Sequence, residues 1–107
     1  IYEPNAAIIK AGAFKLIAQR FQLLKMAQHT HLYLSHQRID NFPGRVWQII
    51  TTNIKDIKDL RANIMTRNYP LTPEQLRKKL KLKDSHTPTI IGARLADKPT
   101  LFLCKKI

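Results

Sequence analysis

Thr72-Pro73-Glu74-Gln75-Leu76-Arg77-Lys78-Lys79-Leu80-Lys81-Leu82-Lys83 is the best-punctuated stretch of the chain. Thr72 offers a side-chain oxygen to a free first-turn amide, and Pro73 presets the first helical φ. Gln75 stands three residues after the cap, the spacing of a capping box. Leu76, Leu80 and Leu82 make an inward side, and Arg77, Lys78, Lys79, Lys81 and Lys83 occupy the other faces. The stretch predicts a helix over 72–83 with five cations on its solvent side. Asp84-Ser85-His86-Thr87-Pro88 then reads as a loop. Two strands follow, at about 89–96 and 100–106, joined by a tight turn around Asp97-Lys98-Pro99.

Upstream of Thr72, Arg61 to Tyr69 reads as a strand, and Lys55 to Leu60 as a short helix with Ile57 and Leu60 inward. Val46, Trp47, Ile49, Ile50, Thr51 and Thr52 are β-favouring residues and predict a strand from Arg45 to Thr52. Phe42-Pro43-Gly44-Arg45 is a turn sequence. His31 to His36 alternates polar and apolar residues, with Leu32 and Leu34 on one side, as in a half-buried strand. Residues 5–21 read as a helix capped by Asn5, with Ile8, Ile9, Ala13, Leu16 and Ile17 as its apolar stripe. Gly12 weakens that helix, as close approach to another backbone would require. The predicted order is an N-terminal helix and strand followed by a β-α-β-α-β-β unit. This is an α/β chain of the α+β kind: a small mixed sheet with helices packed against it, in one domain over 1–107.

Charge is the most informative bulk property. Nineteen Lys and Arg stand against seven Asp and Glu, a net charge of +12. Residues 1–53 hold six basic and two acidic side chains, and residues 54–107 hold thirteen and five. Such an imbalance favours a polyanionic partner: nucleic acid, an anionic membrane surface or an acidic protein. No apolar run reaches the roughly 20 residues of a membrane span. The opening Ile1-Tyr2-Glu3-Pro4 is neither a translation start nor a secretory signal, so the sequence reads as a piece of a longer protein, and the single Cys104 fits a reducing cytoplasm.

Catalytic patterns are missing from the sequence. Gly12, Gly44 and Gly92 are too scattered for a phosphate loop, and no carboxylate pair lies in an apolar setting. Cys104, in the run Leu103-Cys104-Lys105, reads as a packed small hydrophobe rather than a nucleophile. A metal site would have to gather His29, His31 and His36 with distant His86 or Cys104. Their spacing matches no ligand motif, so they read as surface or loop histidines.

The cations are the binding candidates. Five of the seven residues from Arg77 to Lys83 are basic with few acids interleaved, and that face can meet several phosphates at once. Arg67 and Asn68, just before Tyr69-Pro70, form a second group, which Arg45 and the tail Lys105-Lys106 extend. Among the aromatics, Tyr33 and Tyr69 are candidates to stack on bases, whereas Trp47 and Phe102 read as core.

Several separated motifs carry a family resemblance. They are Tyr2-Glu3-Pro4-Asn5-Ala6-Ala7-Ile8-Ile9-Lys10-Ala11-Gly12, His31-Leu32-Tyr33-Leu34-Ser35 and Phe42-Pro43-Gly44-Arg45-Val46. Ala62-Asn63-Ile64, Arg67-Asn68-Tyr69-Pro70-Leu71, Leu76-Arg77-Lys78-Lys79-Leu80 and Cys104-Lys105-Lys106 continue the series. Together they resemble the THUMP-like segment at the C-terminus of certain bacterial class I S-adenosylmethionine-dependent methyltransferases, across essentially the whole chain. The resemblance implies a catalytic domain N-terminal to Ile1, which would hold S-adenosylmethionine; these residues hold no cofactor and no metal. By analogy with true THUMP domains it implies RNA, tRNA or rRNA, as partner.

The leading expectation is a non-catalytic domain that presents RNA to its own methyltransferase domain. Arg45, Arg67, Arg77, Lys78, Lys79, Lys81 and Lys83 would contact phosphates. The alternative is a structural domain that packs on and stabilises the catalytic domain through the Ile8–Ile17 stripe, without contacting nucleic acid.

Overall fold

The structure is a computed structural model that describes residues 1–7, 16, 19, 20, 22–27, 30–36, 38–40 and 42–107. Its strands are β1 (Tyr2–Pro4), β2 (Leu24–Lys25), β3 (Tyr33–Leu34), β4 (Gly44–Thr51), β5 (Arg61–Thr66), β6 (Lys83–Leu95) and β7 (Lys98–Lys106). Among the described residues, the helices bounded at both ends are α1 (Ile54–Ile57) and α2 (Pro73–Leu80). The strands form one mixed sheet in the order β2-β3-β1-β4-β7-β6-β5. Among the described strands β5 and β6 alone run parallel, and α2 is the crossover that a parallel neighbour needs. The architecture is the expected α+β class.

Strand alternation sorts the core onto two faces of the sheet. Ile90, Leu101 and Leu103 face α1 and α2 and pack with Ile57, Ala62, Ile64, Leu76, Leu80 and Leu82. Their neighbours Ile91, Phe102 and Cys104 point the other way. There they pack with Trp47 and with Ile1, Met26 and Leu32 from the N-terminal segment. That segment therefore covers this second face, held also by an Ala96 N–H bond to the Met26 carbonyl of 2.8 Å. Tyr2, Leu23, Tyr33 and Phe42 make a third cluster, with the Tyr2 and Phe42 rings edge to face at 5.1 Å.

The Thr72 capping box forms as read. Gln75 N–H donates to Thr72 Oγ1 at 3.2 Å, and Thr72 N–H donates to Gln75 Oε1 at 2.9 Å. The helix ends at Leu80, earlier than the expected 72–83. Lys81 adopts the left-handed cap conformation, φ 55°, and Leu82 is already leaving toward the sheet. Lys83 N–H donates to the Leu60 carbonyl at 2.9 Å. The basic run is thus divided among helix, cap and strand.

Other boundaries shift for similar local reasons. β5 stops at Thr66 because Asn68 takes a positive φ of 51° and turns Tyr69 back over the sheet. Residues 85–88, read as a loop, are a bulge within β6: the partners of β5 jump from Asp84 to Thr89. The last hairpin turns at Ala96 and Asp97, both at positive φ, so the turn begins one residue before the expected Asp97-Lys98-Pro99. The short α1 is capped by Asn53, whose Oδ1 accepts from Lys55 N–H at 3.1 Å. The strands β1 and β2 were not foreseen, being three and two residues long. Of the expected helix over 5–21, Ala6, Ala7, Leu16, Gln19 and Arg20 are helical. Leu16, assigned to its apolar stripe, is 69% exposed. Ile8, Ile9, Gly12, Ala13 and Ile17 lie outside the described residues.

Candidate nucleic-acid interface

Glu3 on β1 is buried, and two arginines claim its carboxylate. Arg45, at the start of β4, donates Nε to Glu3 Oε1 at 2.6 Å, and its Nη2 lies 2.6 Å from the same oxygen. Arg67, just past β5, donates Nη2 to Oε2. The sheet must coil for this to happen, because β4 and β5 are three strand spacings apart, about 14 Å if flat. Arg45 Nη2 comes within 3.9 Å of Met65 Sδ on β5. The Arg45 guanidinium also lies over Trp47, 5.1 Å from the ring centroid, which fixes its plane.

Local backbone geometry sets this up. Pro4 pairs with Gly44 and Glu3 with Arg45 across the β1–β4 ladder, so the carboxylate arrives beside Arg45 by register. A Cβ on Gly44 would lie 2.0 Å from the Glu3 carbonyl oxygen, so only glycine lets the two backbones approach this closely. Arg67 is placed from the other side, its N–H bonded to the Gly92 carbonyl at 2.8 Å.

Arg45 and Arg67 stand between two cavities. One, about 520 Å³, is lined by Glu3, Asn5, Thr30, His31 and Asn68 together with both arginines. The other, about 330 Å³, meets Trp47, Asn63, His86, Thr89 and Lys106. His86 reaches it from the β6 bulge. Each arginine side chain remains about half exposed, at 50% and 45%. One carboxylate against two guanidiniums leaves a positive charge for an external anion.

The remaining predicted cations lie elsewhere. α2 packs its Leu76 and Leu80 on the opposite face of the sheet, so Lys78 and Lys79 are separated from Arg45 and Arg67 by the sheet itself. Arg77 is partly buried and pairs with Asp84 at 2.8 Å, so one of the five charges of the run is compensated. Lys81 is exposed on the helix cap, and Lys83 sits beside Arg61 in the β5–β6 register at the sheet edge. The candidates therefore form two basic surfaces instead of one.

Trp47 and Phe102 are core residues, as their strand positions implied, and Tyr33 is buried too. Burial pushes the Tyr33 and Tyr69 hydroxyls up from their ordinary value. Cys104 is fully buried, and desolvation pushes its thiol up to about 12. Among the described residues, no three His, Cys, Asp or Glu side chains converge as a metal site would require. His29 lies outside the described residues. Gly44 and Gly92 both sit within strands. No helix of the described residues is long and apolar enough to cross a membrane.

Sequence reasoning placed Arg45 and Arg67 in one group but missed Glu3, which joins them. The available signal was its isolation: Glu3 and Asp40 are the two acids of residues 1–53, and Glu3 sits beside the apolar Tyr2 and Pro4.

Two families match the chain. A family described as a ferredoxin-like domain matches residues 1–43. One described as THUMP domain-like matches residues 44–106, more than half of the sequence. The chain belongs to the THUMP-like family. A crystal structure of a provisionally assigned methyltransferase from Porphyromonas gingivalis W83 is similar over 98% of the THUMP-like chain, with 36% identity and a TM-score of 0.79. The chain spans 28% of that protein's length. No curated protein matches it. The junction of the two matched segments falls at Gly44, the close approach that brings Glu3 to Arg45.

Proposed function

We propose that this THUMP-like chain is a non-catalytic RNA-binding domain of an S-adenosylmethionine-dependent methyltransferase, working as one unit over 1–107 and presenting tRNA or rRNA to a catalytic domain on the same polypeptide. S-adenosylmethionine belongs to that catalytic domain, and the setting is cytoplasmic. The observation that carries the reading is the pair of half-exposed arginines, Arg45 and Arg67, whose charge exceeds that of the carboxylate holding them. Family membership and the net charge of +12 support it. Lys78, Lys79, Lys81 and Lys83, with the partly compensated Arg77, supply a second phosphate-facing surface. Phosphate contacts position RNA more than they read it, so base choice falls to RNA shape and to the catalytic domain.

Charge reversal tests the second surface. In the full-length protein, Lys78→Glu with Lys79→Glu should weaken tRNA or rRNA binding about tenfold or more without lowering the melting temperature. Unchanged affinity would remove that surface from the account. A second reading has its own support: Ile50 and Ile54 are 57% and 47% exposed near the end of β4 and the start of α1. A domain that packs on the catalytic domain through such residues would ignore RNA and lose stability when separated.

A further inference from the structure

We propose that Glu3, Arg45 and Arg67 are the phosphate anchor of a nucleotide site built jointly by residues 1–43 and 44–106, with Glu3 as its positioning residue. Several independent observations converge there. Glu3 occupies one Nη and the Nε of Arg45 and one Nη of Arg67. The remaining nitrogens, Nη1 of Arg45 and Nε and Nη1 of Arg67, engage no acceptor among the described residues. Two guanidiniums locked by one carboxylate thus present a divergent set of N–H donors at a partly exposed edge. A phosphate, with several acceptor oxygens in tetrahedral array, satisfies such a set better than a single carboxylate does.

The adjoining cavity fits what a phosphate brings with it. Its volume of about 520 Å³ falls in the range of small-molecule sites, roughly 300–1,000 Å³. Asn5, Thr30 and His31 come from the first matched segment, and Asn68 from the second. Asn68 Nδ2 lies 3.4 Å from Thr30 Oγ1 across the junction. Amide, hydroxyl and imidazole groups suit the hydroxyls of a ribose and the edge of a base. Neither segment alone builds the site, because the carboxylate and the arginines come from different ones.

This inference rests on the RNA reading only for the source of the phosphate. A polynucleotide phosphodiester and the monoester of a free nucleotide offer the same chemistry. Binding of inorganic phosphate, uridine 5′-monophosphate and an oligouridylate to the full-length protein, by calorimetry, separates them. Uridine compounds avoid competition from the adenosine moiety of S-adenosylmethionine.

The decisive variant is Glu3→Gln, because its two expected effects have opposite signs. It raises the positive charge, so a diffuse electrostatic surface would bind more tightly. A positioned site should bind about tenfold more weakly, since the arginines lose their clasp. Arg67→Lys keeps both charge and buried carboxylate and should also lose about tenfold. It decides the matter if Glu3→Gln does not fold. Lys98→Gln, on the β6–β7 hairpin outside both cavities, removes one charge and should change affinity little. Equal or tighter binding in folded Glu3→Gln, or wild-type affinity in Arg67→Lys, overturns the proposal and leaves RNA binding standing. Uridine monophosphate binding that is lost in Arg67→Lys, with no oligouridylate binding, upholds the site and removes RNA as its ligand.

Discussion

Glu3 and Arg67 are 64 residues apart in sequence and joined by an ion pair that ties the first strand to the end of β5. Arg45 completes the arrangement from β4. The carboxylate is buried and the arginines are half exposed, so the cost of a deletion depends on which partner is lost. Arg67→Met leaves a buried carboxylate with one guanidinium, and Glu3→Gln leaves two arginines that water can solvate. We expect Arg67→Met to cost about 2–3 kcal/mol and Glu3→Gln about 1–2 kcal/mol. Urea denaturation of each variant measures this, and the reverse order would contradict the burial argument.

Gly44 and Gly92 should respond differently to alanine. At Gly44 the new Cβ meets the Glu3 backbone at 2.0 Å, and strands β1 and β4 must part. At Gly92 it meets the Tyr69 ring at 3.1 Å, and a half-buried ring can shift by a few tenths of an ångström. Gly44→Ala should cost about 2–4 kcal/mol and Gly92→Ala about 1 kcal/mol or less. Comparable midpoints for the two variants would show that the β1–β4 approach is not tight.

Much of the second half was legible because its signals are local. The Thr72 capping box, the β-rich run of β4 and the alternation of Leu101 and Leu103 with Phe102 and Cys104 each specify a conformation without distant partners. The end of α2 was not legible. Leu82 stands two residues after Leu80, nearly opposite it on a continued helix, and it joins the same cluster only because the chain has turned at Lys81. β1 was illegible because it exists only through pairing with the distant β3 and β4, and β2 because two residues paired with an equally short β3 carry no pattern of their own. The site has the same character: its arginines are visible as cations, while the carboxylate that orients them belongs to another part of the sequence.

Thr72→Ala should cost about 1 kcal/mol, the usual worth of a helix cap, since the Gln75 N–H loses its acceptor. Thermal denaturation reads this. A Thr72→Ser variant keeps the hydroxyl and should recover most of the loss.

Cys104 gives a pH dependence with a definite sign. Its thiol is pushed up to about 12 in the folded chain from an ordinary value near 9.0. Between those values the unfolded chain releases a proton that the folded chain keeps, so stability falls as pH rises, by up to about 1.4 kcal/mol per pH unit. Below the unfolded value the effect vanishes. Tyr33 and Tyr69 add in the same direction above their ordinary value of 10.0. Cys104→Ala should therefore flatten the fall that begins near pH 9, relative to wild type. Parallel pH profiles would contradict the burial of the thiol.

The central claim, that two basic surfaces bind RNA phosphates, is tested most directly by the salt dependence of binding. The full-length protein is titrated with tRNA and rRNA fragments at a series of ionic strengths. The account predicts a linear fall of log affinity with log salt, amounting to about 30-fold or more between roughly 50 and 200 mM. An affinity that is flat over that range, or no binding at the lowest salt, would contradict it.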